Sequence, residues 1–185
     1  MITVLVNGLP GAGKTTLARA LAAELGLPLF SKDSVKETLA DNLAPLRPAG
    51  CSDLEWSKIL GTASGETLWT LLADARGAAV LETPWLAPLR PIVQAGLRRA
   101  GVTEVQEVWC EVPLELARRR FTARMTERHP VHPERDGRWD GRWEDWSRDA
   151  RPLAFGRVHR VDTSAPVDVA ALAAALRAVQ GLPAA

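Results

Sequence analysis

The chain has 185 residues, a formal net charge of +1, 46% apolar residues and 24% charged residues. These values describe a single globular domain over residues 1–185 with a proper core, and they exclude general attraction to nucleic acid or an anionic membrane. No apolar stretch approaches the roughly 20 residues of a membrane span, and residues 2–6 run straight into a strand pattern, so no signal peptide is expected; with two cysteines far apart, Cys51 and Cys110, the expected setting is the reducing cytoplasm.

Ile2, Val4, Leu5 and Val6 read as a first buried strand. Gly8-Leu9-Pro10-Gly11-Ala12-Gly13-Lys14-Thr15, with Thr16 behind it, is a complete G-x-x-x-x-G-K-[ST] loop, and an apolar helical run over 17–25 follows. Strand, loop and helix in that order give the motif its meaning. Its glycines let the backbone wrap an anion, with amides pointing inward at phosphate oxygens. The helix N-terminus adds partial positive charge. Lys14 suits the β- and γ-phosphates and the Thr15 hydroxyl suits Mg²⁺, which makes ATP with magnesium the expected cofactor.

A short second strand is expected over 27–30, after Gly26. Ser34 and Glu37 read as the capping box of a helix running to about Asn42. Pro45, Pro48 and Gly50 mark a loop. Ser52 or Asp53 caps a longer helix to about Arg76, weakened in its middle by Gly61 and Gly65. A third strand covers 78–81, with Glu82 at its end. Pro88 opens a helix to about Ala100, and 105–110 is a fourth strand. Pro113 opens a helix to about Met125, and a polar segment rich in Arg, Asp, Gly and Trp spans 129–151. Residues 158–161 form a fifth strand and 167–179 a final helix. Strands alternating with helices specify an α/β fold: a five-stranded parallel sheet with helices on both faces in three layers. Ligands of such sheets bind beyond the carboxyl ends of the strands. The phosphate loop, Asp33, Glu82, the Glu111 region and Asp162-Thr163 all fall there.

With these residues in place, the chain resembles the small P-loop kinases of the nucleoside-monophosphate-kinase-like group, which includes gluconate kinases, chloramphenicol phosphotransferases, zeta toxins and polynucleotide kinase domains. The features that carry the resemblance are the phosphate loop, Asp33 with Lys36 after the second strand, Glu82 after the third, and Arg120 and Arg124 four apart. The resemblance spans nearly the whole chain and implies a P-loop NTPase fold with a small helical lid, here the lid and acceptor segment at about 120–151.

The resemblance implies a role for each matching position. Asp33 stands where a catalytic aspartate accepts the proton of an attacking hydroxyl. Lys36 stands where a cation orients the acceptor, and Arg90 resembles an arginine that follows the third strand in related kinases. Glu82 replaces the aspartate that commonly holds a magnesium-bound water. Arg120 and Arg124 resemble lid arginines that pack over the adenine and clamp the transferring phosphoryl group. Thr163 belongs to a loop bordering the adenine. His129 and His132 read as lid or acceptor-pocket residues in preference to a zinc site. Trp139, Trp143 and Trp146 have helical spacing, which suits either a packing stripe or a face closing over substrate.

The expected activity is therefore transfer of the γ-phosphoryl group of Mg·ATP to a hydroxyl of a small molecule such as a sugar, nucleoside or antibiotic. Two other readings stand beside it. A polynucleotide 5′-hydroxyl kinase is compatible with Asp33 and Lys36, although a near-zero net charge disfavours tracking a strand. A regulatory ATP-binding protein without transfer chemistry is favoured by Glu82.

Overall fold

The computed structural model describes residues 2–132 and 140–179. Five strands, β1 (Thr3–Gly8), β2 (Leu29–Ser31), β3 (Ala79–Glu82), β4 (Gln106–Glu111) and β5 (Val158–Asp162), form one sheet in the order β2-β3-β1-β4-β5. Every pairing is parallel. The intervening helices are α1 (Lys14–Leu25), α2 (Lys32–Leu43), α3 (Asp53–Asp74), α4 (Arg90–Arg99), α5 (Leu114–Ala123), α6 (Asp140–Asp149) and α7 (Val169–Val179).

Side chains alternate across a strand, and here both faces are covered. Val4, Val6, Val80 and Val108 pack under α1 and α7, where Leu17, Leu21, Leu172 and Leu176 are buried. Leu5, Ala79 and Leu81 face the other way, against Leu68, Trp69 and Leu72 of α3 and Val93 and Leu97 of α4. Central strands buried on both faces explain the near-continuous apolar runs in the sequence. The register brings Ser31 opposite Glu82, Gly8 opposite Cys110 and Glu111 opposite Asp162, so the strands end on one level. β1 lies between β3 and β4, and the crevice at this switch point is where the phosphate loop emerges.

Several element boundaries differ from those expected. The second helix begins at Lys32, with Ser31 at its cap and no side-chain cap bond, two residues before the expected Ser34 box. The Ser31 hydroxyl donates instead to Glu82 Oε2 at 2.8 Å. Glu37 is not turned back to a cap: its Oε1 pairs with His132 Nε2 at 2.8 Å. The shift places Asp33 in the first turn of α2, where its charge complements the helix dipole. The capping box of α3 does form, with Ser52 Oγ accepting from Glu55 N and Ser52 N donating to Glu55 Oε2. β3 extends through Glu82, and α4 starts at Arg90 after a 3-10 turn at Ala87–Leu89. Within the expected lid segment, residues 140–149 form α6. Trp139 of the tryptophan stripe lies outside the described residues. Among the described residues no helix is long and apolar enough to cross a membrane.

Candidate functional site

The phosphate loop is bent where its glycines stand. Gly11 and Gly13 have φ of 83° and 81°, the left-handed region that costs other residues steric strain. Gly11 is constrained twice, because a Cβ there would lie 2.1 Å from the Ala117 carbonyl oxygen of α5. Gly13 caps α1 in that conformation and leaves the first amides of the helix facing the loop. Thr163 holds the loop from behind: its Oγ1 donates to the carbonyl of Ala12 at 2.7 Å and lies 3.0 Å from that of Glu111.

Lys14 is 6% exposed, and its Nζ donates to the Leu9 carbonyl at 2.8 Å. Burial lowers its pKa, opposed by the negative field of Glu82 and Asp33. An ammonium has three protons to donate, and among the described residues Leu9 is the only acceptor that Lys14 reaches. A buried, under-coordinated cation beside left-handed loop amides has the chemistry of a polyphosphate cradle. Cys110, opposite Gly8 in the sheet, contributes no charge, because burial pushes its thiol up to about 12. The residues therefore fit a triphosphate. Thr15 and Glu82 line the same cavity and offer the hydroxyl and carboxylate that suit magnesium.

That cavity has a volume of about 700 Å³ and brings together Pro10, Gly11, Lys14, Thr15, Asp33 and Glu82 from three distant parts of the chain. Lys36 and Arg124 line it too. Lys36 is 8% exposed and donates to Ser57 Oγ at 2.7 Å, which ties the acceptor side of the cavity to α3. The Asp33 side chain is 47% exposed and accepts from Arg128 Nη2 at 3.4 Å. Trp146 lines the cavity and meets Phe121 edge-on, with ring centroids 5.6 Å apart. Trp143 packs on the same Phe121 ring.

Other expected site residues lie elsewhere. Arg120 and Arg124, expected to pack over the adenine and clamp the transferring phosphoryl group, diverge. Arg124 reaches the cavity, whereas the Arg120 guanidinium donates to the carbonyls of Thr163 and Ser164 at 2.8 and 3.2 Å. The Thr163 hydroxyl is likewise spent on backbone carbonyls. Arg90 stands outside the cavity, its guanidinium 4.2 Å from the centre of the Phe155 ring. Thr16 is exposed on α1. His129 and His132 do not converge on a metal: His129 Nε2 contacts Asp41 Oδ1 at 2.9 Å, and His132 contacts Glu37. Both bonds stitch the segment after α5 onto α2. Among the described residues, no three His, Cys, Asp or Glu side chains cluster as a metal site.

Two groups of functional interest escaped sequence reasoning. Arg128 is one: five arginines between 118 and 128 give no signal as to which one reaches Asp33. The other is a buried polar network beneath the phosphate loop. Asn7 Nδ2 donates to Glu107 Oε1 and to the Trp85 carbonyl, both at 2.9 Å, while its Oδ1 accepts from the amides of Gly8 and Trp85. Glu107, 2% exposed, also accepts from the amides of Leu153 and Ala154. A glutamate inside a buried central strand was the signal available for it.

Residues 4–138 match the AAA_33 family, described as an AAA domain. A candidate kinase from Chloroflexus aurantiacus superposes with a TM-score of 0.77 at 29% identity, covering 96% of this chain and 97% of that one. A gluconokinase from Sinorhizobium meliloti shares the fold, with a TM-score of 0.58 at 17% identity over 97% and 93% of the two chains. Over 43 residues the chain is 46% identical to a cytidylate kinase of Ignicoccus hospitalis; that stretch is 23% of this chain and about a quarter, 25%, of the relative.

Proposed function

This chain belongs to the AAA_33 family of P-loop kinases, and from that premise we propose that it transfers a phosphoryl group from Mg·ATP to a hydroxyl of a small molecule. P-loop kinases of this kind use Mg·ATP, and when bound the nucleotide supplies the phosphoryl group while the metal neutralises charge that develops on its oxygens. The loop amides and Lys14 bind and orient the triphosphate. Thr15 and Glu82 would hold the metal. Arg124 stabilises charge on the transferring group.

The observation that carries the hydroxyl reading is the position of Asp33. Its carboxylate shares one cavity with Lys14 and the phosphate loop. A hydroxyl must lose a proton as it attacks, and a carboxylate there receives it. A phosphate acceptor brings no such proton and would meet repulsion from the same carboxylate. Lys36 and Arg128 flank Asp33 and orient the acceptor. Trp146 and the segment fastened to α2 by His129 and His132 exclude water, which would otherwise compete as acceptor.

The test is phosphoryl transfer from labelled ATP to a panel of sugars, nucleosides, hydroxy acids and hydroxylated antibiotics, with cytidine monophosphate and a 5′-hydroxyl oligonucleotide included. Transfer to a small alcohol is the expected result. The cytidylate kinase stretch is the reason for the monophosphate arm: transfer to cytidine monophosphate alone would replace the alcohol with a phosphate acceptor. Magnesium-dependent binding of ATP without transfer to any acceptor would favour a regulatory protein.

A further inference from the structure

A second cavity, of about 610 Å³, opens next to the first, and Lys32, Lys36 and Thr83 line both. Its floor is formed by Trp69 of α3 and Trp85 after β3, whose rings stack 6.4 Å apart at 22°. Trp69 is fixed from behind, since α4 comes so close at Gly96 that a Cβ there would lie 2.2 Å from the indole. The floor is therefore preformed. At the rim, Leu54, Leu89 and Ile92 are 44%, 37% and 56% exposed, an unusual degree for large apolar side chains gathered at one opening.

The other wall is cationic. Lys32, Lys36 and Lys58 line the cavity against a single carboxylate among the described residues, Glu66, and that carboxylate is paired with Arg99. Lys32 is half-buried and makes no hydrogen bond or ion pair with any described residue. Its chain crosses α3 at the two glycines of that helix: a Cβ at Gly61 would stand 3.9 Å from Lys32 Nζ, and one at Gly65 would stand 3.8 Å from Lys32 Cε. Two glycines inside a helix cost about 1 kcal/mol each relative to alanine. Here both line the cavity, which a longer side chain at either position would enter.

We propose that this second cavity holds the body of the phosphoryl acceptor, and that the acceptor is a hydroxy acid with an aromatic or branched apolar body: the apolar part lies on Trp69 and Trp85, the anionic group meets Lys32, and the hydroxyl extends past Lys36 to Asp33. The inference rests on the hydroxyl-kinase reading above. An unpaired ammonium at an apolar cavity favours a carboxylate over an amide of the same shape, because only the charged ligand gains a charge-assisted hydrogen bond. Simple sugars lack the apolar surface to displace water from the indole floor, and a polynucleotide is too bulky for a volume of about 610 Å³.

The experiment is calorimetric titration of the full chain, with magnesium and a non-hydrolysable ATP analogue present. The probes are 4-(hydroxymethyl)benzoate and 3-(4-hydroxymethylphenyl)propanoate, each set against its own amide. Saturable binding of at least one acid is expected, with its amide about tenfold weaker or more. Lys32→Met should remove the difference between acid and amide. Gly65→Leu, whose Cβ has room but whose side chain fills the cavity, should abolish binding of the acid. Equal affinity for acid and amide, full binding by Gly65→Leu, or no saturable binding of either acid would each overturn the proposal. A nucleotide titration on the same samples separates the two readings. Intact nucleotide binding without acid binding overturns only the acceptor class, whereas loss of magnesium-dependent nucleotide binding by the folded wild-type chain overturns the kinase reading itself.

Discussion

The Arg128 guanidinium lies 3.4 Å from the Asp33 carboxylate and also over the face of Phe121, 5.3 Å from its centroid. The two ion-pair partners are 95 residues apart in sequence, yet both line the cavity that holds the phosphate loop. Their side chains are 25% and 47% exposed, so the pair adds little to stability, about 1 kcal/mol or less. Arg128→Ala should accordingly leave urea unfolding nearly unchanged while lowering the acceptor kcat/KM by about tenfold or more. A variant that loses stability and activity in proportion would make Arg128 a structural brace.

Asp33→Asn keeps the shape of the site and removes the proton acceptor. Transfer should fall by about 10²- to 10⁴-fold, the usual contribution of a positioned general base. Magnesium-dependent nucleotide affinity should change by no more than about twofold if, as proposed, Asp33 serves the acceptor rather than the triphosphate. Rapid-quench transfer and equilibrium nucleotide binding on the same preparation read the two quantities separately.

Gly11→Ala tests the loop geometry. A β-carbon at φ 83°, 2.1 Å from the Ala117 oxygen, forces either the loop or α5 to move. The expected loss of stability is about 2 kcal/mol or more, accompanied by loss of nucleotide binding. Gly26→Ala, at φ 66° with nothing near its β-carbon, should show only the backbone strain, about 1 kcal/mol. Thermal unfolding of the two variants side by side separates the clash from the conformational cost.

Glu107→Ala would take the acceptor from two buried donors, one N–H of Asn7 Nδ2 and the amide of Leu153, and from the part-buried amide of Ala154. An orphaned buried donor costs about 1–3 kcal/mol, so a total of about 2 kcal/mol or more is expected in urea titrations. Glu107→Gln retains one acceptor oxygen and should lie between wild type and Glu107→Ala.

His132 should make stability depend on pH. Burial and the neighbouring Arg128 cation hold its imidazole below the ordinary value of 6.5, outweighing Asp33 and its bond to Glu37; Lys36 pushes the same way as Arg128. On acidification the unfolded chain takes up this proton before the folded chain does. Stability is therefore complete above the ordinary histidine value, falls as pH drops below it, and stops falling once the folded imidazole also titrates. His132→Gln, which retains a donor for Glu37, should lose less stability than wild type between about pH 7 and pH 5. The difference between the two pH profiles isolates His132 from His159, which burial and Arg157 also shift downward.

What could be read from the sequence was what local chemistry decides. The phosphate loop is a contiguous motif, and the double-sided burial of β1, β3 and β4 leaves an apolar imprint that any reader of the chain can find. The parallel five-stranded sheet followed from the alternation of such strands with helices. What escaped depends on contacts between distant positions. Ser34 and Glu37 spell a capping box, but Ser31 bonds across the sheet to Glu82 and Glu37 pairs with His132, so α2 starts earlier. Arg120 and Arg124 share a helix spacing, yet the carbonyls of Thr163 and Ser164 claim the first and leave the second at the cavity. The cavity beside Lys32 was equally hidden: Gly61 and Gly65 read as weaknesses of a long helix, and their use becomes visible only when Lys32 lies over them.

The anchoring of Arg120 also divides α5 mechanically. The helix is bolted to the floor of the molecule through Ala117 against Gly11 and through Arg120 against the loop that follows β5. Arg124 and Arg128 lie beyond that anchor. Both guanidinium groups are therefore carried on a short span between two fixed points, the Arg120 anchor and the bond of His129 to Asp41, above a loop that Thr163 ties down separately.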